Sequence, residues 1–157
     1  MRIVVISDSH GRTGVIDRIL RNQPDAEYVF FLGDRLPDIE DFPILYPDKT
    51  FYTVSGNCDP FSNVPSADIQ IISGVKIFYT HGHTFSVKYG TQKLLEKAKE
   101  IGAKIVLYGH THISKILYEE GIYIVNPGSC AEPRDFHASY AVIDITDKGI
   151  MPIIINL

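Results

Sequence analysis

Apolar residues along this chain follow two rhythms. Short, β-branched runs at Ile3 to Ile6, Tyr28 to Leu32 and Thr50 to Val54 read as buried strands bounded by turn residues. Between the first two, Val15, Ile16, Ile19 and Leu20 recur at helical spacing until Pro24 closes the pattern. Pro37 to Tyr46 predicts a short helix interrupted near Pro43. A strand–helix–strand–helix–strand order calls for right-handed crossovers and parallel strands.

The second half changes character. Ile69 to Ile72 and Val75 to Tyr79 flank Ser73-Gly74, the signature of a tight hairpin. From about Thr91 to Ile101 a helix puts Leu94, Leu95, Ala98 and Ile101 on one face, with Gly102 placed to end it. Ile105 to Tyr108 is another buried strand. Two further hairpins are expected, Ile116 to Tyr118 with Ile122 to Val125, and Tyr140 to Ile145 with Ile150 to Ile155. A parallel half followed by antiparallel hairpins predicts an α/β fold of two packed sheets with helices outside. No linker, repeat or low-complexity tract divides the chain, so residues 1–157 are expected to form one domain.

Composition narrows the class. The 157 residues are 45% apolar and 22% charged, ordinary for a globular domain large enough to bury a core without staples. The net charge of −4, with neither sign in a long block, argues against a nucleic-acid binder held by charge. Cys58 and Cys130 lie far apart, which supports neither a disulfide framework nor a CxxC zinc site. The opening apolar run is too short for a signal peptide, and no run approaches the ~18–20 residues of a membrane-spanning helix. These features lead to the expectation of a cytoplasmic protein with no membrane partner.

The chemistry lies just beyond the strands. Five apolar runs each end in metal-competent side chains: Asp8 and His10, Asp34, Asn57, His81, and finally His110 and His112. In open α/β sheets ligands bind beyond the carboxyl ends of the strands, so one sheet edge is expected to gather all seven residues. In DSH and HTH the outer residues are two apart and would point the same way from extended backbone. Gly33, Gly56, Gly82 and Gly109 adjoin these residues, where the backbone is free to turn sharply or approach a phosphate. The donor set suits Mn²⁺ foremost, with Fe, Zn²⁺ or Ni²⁺ also compatible, and lacks the thiolates of structural zinc. Taken singly, Asp8 or Asn57 reads as an ordinary turn or cap residue, and a lone buried histidine as a satisfied core residue. The clustering of five of the six histidines behind buried strands changes that reading.

Charge then indicates the ligand. Two divalent ions carry four positive charges, and Asp8 with Asp34 return only two. The excess favours hydroxide and an anionic phosphate ester, and two ions about 3.5–4 Å apart clamp the oxygens of an in-line displacement. Such proximity needs a bridging carboxylate, for which Asp34 is the best candidate.

ISDSHG at 6–11, LGD at 32–34, SGNCD at 55–59, THGH at 80–83 and YGHTH at 108–112 together resemble the calcineurin-like metallophosphoesterases. The match is to their short bacterial and archaeal phosphodiesterase branch, YfcE-like and MJ0936-like, and NPGS at 126–129 with Pro133-Arg134 agrees with it. The resemblance implies a four-layer α/β/β/α sandwich of two mixed sheets flanked by helices. It also implies a dinuclear metal centre, with Asp8, His10, Asp34 and His112 on one ion and Asp34, Asn57, His81 and His110 on the other. By the same resemblance, a hydroxide bridging the two ions attacks a small phosphate-ester substrate, most simply a phosphodiester. No covalent intermediate on the enzyme is expected.

One departure bears on mechanism. Larger relatives carry histidine directly after the metal-binding asparagine, where it is thought to protonate the leaving group; here the residue is Cys58. A thiol is a poor donor to an alkoxide, and Asp59 would serve only with a raised pKa, so no catalytic side chain is assigned. Esters with good leaving groups, such as aryl phosphodiesters, are the expected substrates. Arg35 and His83 are candidate phosphate contacts, and Asn126 to Ser129 a tight turn shaping one wall. Alternative functions are phosphomonoesterase or pyrophosphatase action at the same centre, or a non-catalytic protein-binding scaffold on the same fold, as in the retromer subunit of this superfamily. The intact ligand set weighs against the scaffold, and homo-oligomer formation is left open.

Overall fold

The computed structural model describes residues 1–157. Its strands are β1 (Arg2–Ile6), β2 (Tyr28–Phe31), β3 (Thr50–Thr53), β4 (Ala67–Ile72), β5 (Val75–Thr80), β6 (Ile105–Leu107), β7 (Ser114–Glu119), β8 (Ile122–Pro127), β9 (Ser139–Thr146) and β10 (Gly149–Asn156). The helices are α1 (Thr13–Asn22), the one-turn α2 (Phe42–Leu45) and α3 (Gln92–Ile101). One five-stranded sheet runs β10-β9-β1-β2-β3 and the other β4-β5-β6-β8-β7.

Side-chain alternation builds the layers. Ile3 and Val5 point into the core between the sheets, with Phe30, Leu32, Ile77, Tyr79, Ile105 and Leu107. Val4 and Ile6 point the other way, against Ile16, Ile19 and Leu20 of α1. On the far side, Phe78, Val106 and Tyr108 meet Leu94, Leu95 and Ala98 of α3. Every one of these side chains is buried. Three apolar seams between four layers are the α/β/β/α sandwich expected from the sequence.

Three local expectations are corrected. Pro43 does not interrupt a helix but sits in the first turn of α2, where its missing N–H costs nothing; a separate 3₁₀ turn, Leu36–Asp38, precedes it. Parallel and antiparallel pairing do not divide between the halves of the chain. Each sheet has a parallel block, β1-β2-β3 at one side of the first and β5-β6-β8 at the centre of the second, extended by antiparallel strands. The last hairpin, β9–β10, returns to the first sheet and pairs β9 with β1.

Two hairpins have the backbone their sequences demand. Ser73 and Gly74 have φ of 49° and 77°, and Glu120 and Gly121 have 50° and 79°, the paired positive values of a two-residue turn that follows strand twist.

Candidate metal centre

All five loops that carry the candidate ligands come directly after strands, but those strands belong to both sheets. Asp8 and His10 follow β1, Asp34 follows β2 and Asn57 follows β3, whereas His81 follows β5 and His110 and His112 follow β6. The centre therefore spans the ends of two facing sheets, not one sheet edge. Asp8, Asp34, His81 and His112 are buried.

The backbone at the site is left-handed, not extended. Asp8, His10, Asp34, His110 and His112 have φ of 54°, 44°, 60°, 67° and 60°. Non-glycine residues rarely adopt such values, and a cluster of them stores strain where the surrounding structure over-determines the chain. The two-residue spacings in DSH and HTH thus converge through sharp turns.

Glycines bring these turns together by removing side chains from segment contacts. A Cβ on Gly33 would lie 2.5 Å from the Gly56 backbone nitrogen, and one on Gly56 would meet the Asp34 side chain. A Cβ on Gly109 would strike the Ser7 hydroxyl. The close approach that these glycines permit is between loops of the protein.

One ligand atom from each of Asp8, His10, Asp34 and His112 lies within 4.8 Å of the others. The His112 Nδ1–H donates to the Glu132 carbonyl at 2.7 Å, which leaves Nε2 of the neutral ring as a lone pair. That Nε2 lies 3.3 Å from His10 Nε2 and 3.3 Å from Asp8 Oδ1. Asp8 Oδ2 is held by the Ser7 hydroxyl and the His110 N–H, but the buried Oδ1 has no hydrogen-bond partner. A buried, unpartnered carboxylate oxygen beside imidazole nitrogens calls for a cation. Two ligands each about 2.0–2.1 Å from an ion at a tetrahedral angle lie about 3.3–3.4 Å apart, the spacing these nitrogens already have.

A second convergence adjoins the first. The His81 Nδ1–H donates to the Leu32 carbonyl at 2.7 Å, so its Nε2 is again a lone pair. It faces Asn57 Oδ1 at 3.1 Å, His110 Nδ1 at 3.2 Å and Asp34 Oδ1 at 3.5 Å. A ring lone pair facing amide and carboxylate oxygens at these distances also suits a bound cation. Asp34 lies between the two groups, with Oδ1 towards His81 and Oδ2 4.0 Å from His10.

Electrostatics agree with ligand roles. Burial, aided by the charges of His81 and Lys88, depresses the His110 pKa to about 4, so its imidazole is neutral near neutral pH. His112 is shifted up, chiefly by the adjacent carboxylate of Asp8; a proton and a cation compete for the same place. Burial opposes ionisation of Asp8, but His112, His81 and Ser7 outweigh it and hold its pKa below the usual value. Burial also lowers the pKa of His83, whose ring centroid lies 5.3 Å from that of His81 and whose Nδ1 is buried without a partner.

Several residues that brace the centre carry no sequence signal of that role. The Asp59 carboxylate accepts the backbone N–H groups of Asp34 at 2.9 Å, Arg35 at 2.9 Å, Leu36 at 2.8 Å and Gly56 at 2.8 Å. Both oxygens are engaged, so Asp59 is a clamp between two loops and not the proton donor considered from the sequence. Asp38 accepts from the Ser9 hydroxyl at 2.7 Å and the Gly11 N–H at 2.6 Å, steadying the β1 loop. Asn126 and Ser129 are fully buried; they bond to Gly109, Thr111 and Asp8 and shape the wall from behind. Arg35 is half-exposed, with Nε 3.9 Å from Asp38 Oδ1. Cys58 is exposed, its thiol pushed up to about 11 by partial burial and by nearby Asp34.

The family model of the calcineurin-like phosphoesterase superfamily domain matches residues 1–148, and the chain belongs to this family. Among its relatives, the probable metallophosphoesterase YsnB of Bacillus subtilis is 30% identical over 151 residues, covering 95% of this chain and 87% of YsnB. The phosphodiesterase YfcE of Escherichia coli K12 is 27% identical over 168 residues, covering 92% of this chain and 88% of YfcE. A crystal structure from Streptococcus pneumoniae, described as a predicted phosphoesterase, superposes with a TM-score of 0.83 at 31% identity. That alignment covers 99% of this chain and 88% of the other. No helix is long and apolar enough to cross a membrane.

Proposed function

We propose that this chain is a dinuclear metal-dependent phosphodiesterase acting on small phosphate esters. The observation that carries the reading is the buried Asp8 Oδ1, without a hydrogen-bond partner and facing the His112 lone pair. In this reading Asp8, His10, Asp34 and His112 hold one divalent ion, and Asp34, Asn57, His81 and His110 hold the other. The opposed oxygens of Asp34 support its bridging role. When bound, such a pair of ions, Mn²⁺ foremost, supplies an activated water and a cationic clamp for phosphoryl oxygens.

The chain's own contribution is orientation. Leu32 and Glu132 carbonyls fix the tautomers of His81 and His112, and Asp59 ties the Asp34 loop to the Asn57 loop. Arg35 and His83 border the centre and are proposed to contact substrate oxygens. With Cys58 where an imidazole would protonate the leaving group, and Asp59 engaged, esters with stable leaving groups turn over fastest. The shared centre, built from strands of both sheets, supports residues 1–157 as a single domain.

The test combines elemental analysis of protein purified without added metal with hydrolysis of bis-p-nitrophenyl phosphate in Mn²⁺. About two ions per chain and turnover of the diester are expected. Failure to take up any divalent ion would overturn the assignment, and uptake without turnover of any phosphate ester would favour the scaffold.

A further inference from the structure

We infer that a cleft beside the metal centre, on its Asn57 side, is a subsite for a flat aromatic group esterified to the phosphoryl, making the substrate class aryl or heteroaryl phosphodiesters. The inference rests on the proposed phosphodiesterase reading and deepens it.

The cleft has a volume of about 630 Å³ and lies between the loops that come after β2 and β3. Pockets of a few hundred cubic ångströms, largely apolar with a few polar groups, are the usual hosts of small organic ligands. Here Leu36, Ile39, Phe51, Phe61 and Val64 supply apolar walls. Arg35 and Cys58 also line it, and they directly follow the proposed ligands Asp34 and Asn57. Through these two residues the cleft adjoins the centre. The inferred occupant is the ester group of a phosphoryl held at the centre.

Phe61 argues for a flat occupant. Its side chain is fully exposed at the rim, and its φ of 68° is rare for a bulky residue. Pro60 beside it and the Ser62 N–H bonded to the Asp59 carbonyl at 3.3 Å hold this conformation. An exposed aromatic ring held in a strained turn over an apolar cleft presents a face for ring stacking. The Asp59 clamp braces the shared wall, so the cleft is pre-formed and no large closing motion is needed.

The test is calorimetric binding of phenylphosphonate and methylphosphonate to the Mn²⁺-loaded protein. Burial of the ring predicts that phenylphosphonate binds about tenfold to a hundredfold more tightly. Phe61→Ala removes the rim and Ser62→Trp fills the cleft from an exposed position; each is expected to reduce that ratio to about twofold or less while methylphosphonate binding is retained. Equal binding of both phosphonates to the unaltered protein, or an unchanged ratio in both variants, would overturn the subsite and leave the phosphodiesterase reading standing. Binding of neither would overturn both.

Discussion

His10 Nε2 and His112 Nε2 face each other at 3.3 Å although 102 residues separate them along the chain. The Glu132 carbonyl takes the only proton of the neutral His112 ring, so its Nε2 offers a lone pair to whatever lies between the two rings. Together with the unpartnered Asp8 Oδ1, it makes the metal-free site electrostatically unsatisfied. Folding brings the Asp8 Oδ1 and His112 Nε2 acceptors together, and a cation offsets the cost.

Metal should therefore stabilise the fold measurably. Mn²⁺ at a hundred times its dissociation constant is expected to add about 2.7 kcal/mol to the unfolding free energy for each site it fills. The check is the shift in Tm between chelator-treated protein and the same protein with added Mn²⁺; an unchanged Tm would refute it.

Asp34→Ala removes a carboxylate that turns one oxygen towards each group, Oδ2 to His10 and Oδ1 to His81. Hydrolysis of bis-p-nitrophenyl phosphate should fall by at least about a thousandfold, because the loss strikes positioning and charge together. Metal content, measured by elemental analysis, should fall as well. Retention of wild-type metal content would contradict the bridging role.

Asp59→Ala leaves four backbone N–H groups without their carboxylate. Stability should drop by about 3 kcal/mol in urea denaturation, with kcat reduced in the protein that remains folded. Asp59→Asn, which keeps one acceptor oxygen, should lose about half as much.

His83 stands beside His81 and His110 but outside the proposed ligand set. Its replacement by alanine should raise KM for the diester several-fold and leave metal content unchanged. Loss of metal in this variant would make His83 a ligand and not a substrate contact.

The pH dependence of stability has one readable surface contribution. The Arg2 guanidinium holds Asp144 bidentately at 2.9 and 2.8 Å, tying β1 to β9 and holding the carboxyl below its ordinary pKa of 3.8. A depressed carboxyl pKa gives stability that is fully present above the unfolded value and lost as pH falls through the folded one. Because both side chains are partly exposed, Asp144→Asn should cost at most about 1 kcal/mol at pH 7. Urea titrations should show that difference shrinking below pH 3.8.

Much of this molecule was legible in one dimension. Strand alternation at Ile3 to Ile6 and helical spacing at Ile16, Ile19 and Leu20 are local consequences of backbone geometry, so they can be read without knowing what they face. The same holds for the chemistry: side chains able to bind metal stand directly behind buried strands, and the order of five motifs marks the family. Tertiary structure alone decided which strands share a sheet, and so that the centre lies across two sheets, since pairing β1 with β9 depends on contacts between distant segments. It also decided the left-handed backbone of Asp8, His10, Asp34, His110 and His112, which only convergence of several loops on one point enforces. Asp59, Asp38 and Ser129 read as ordinary turn residues until the backbone groups they satisfy are brought to them. The cleft under Phe61 is likewise a product of two loops meeting, and no residue along the chain announces it.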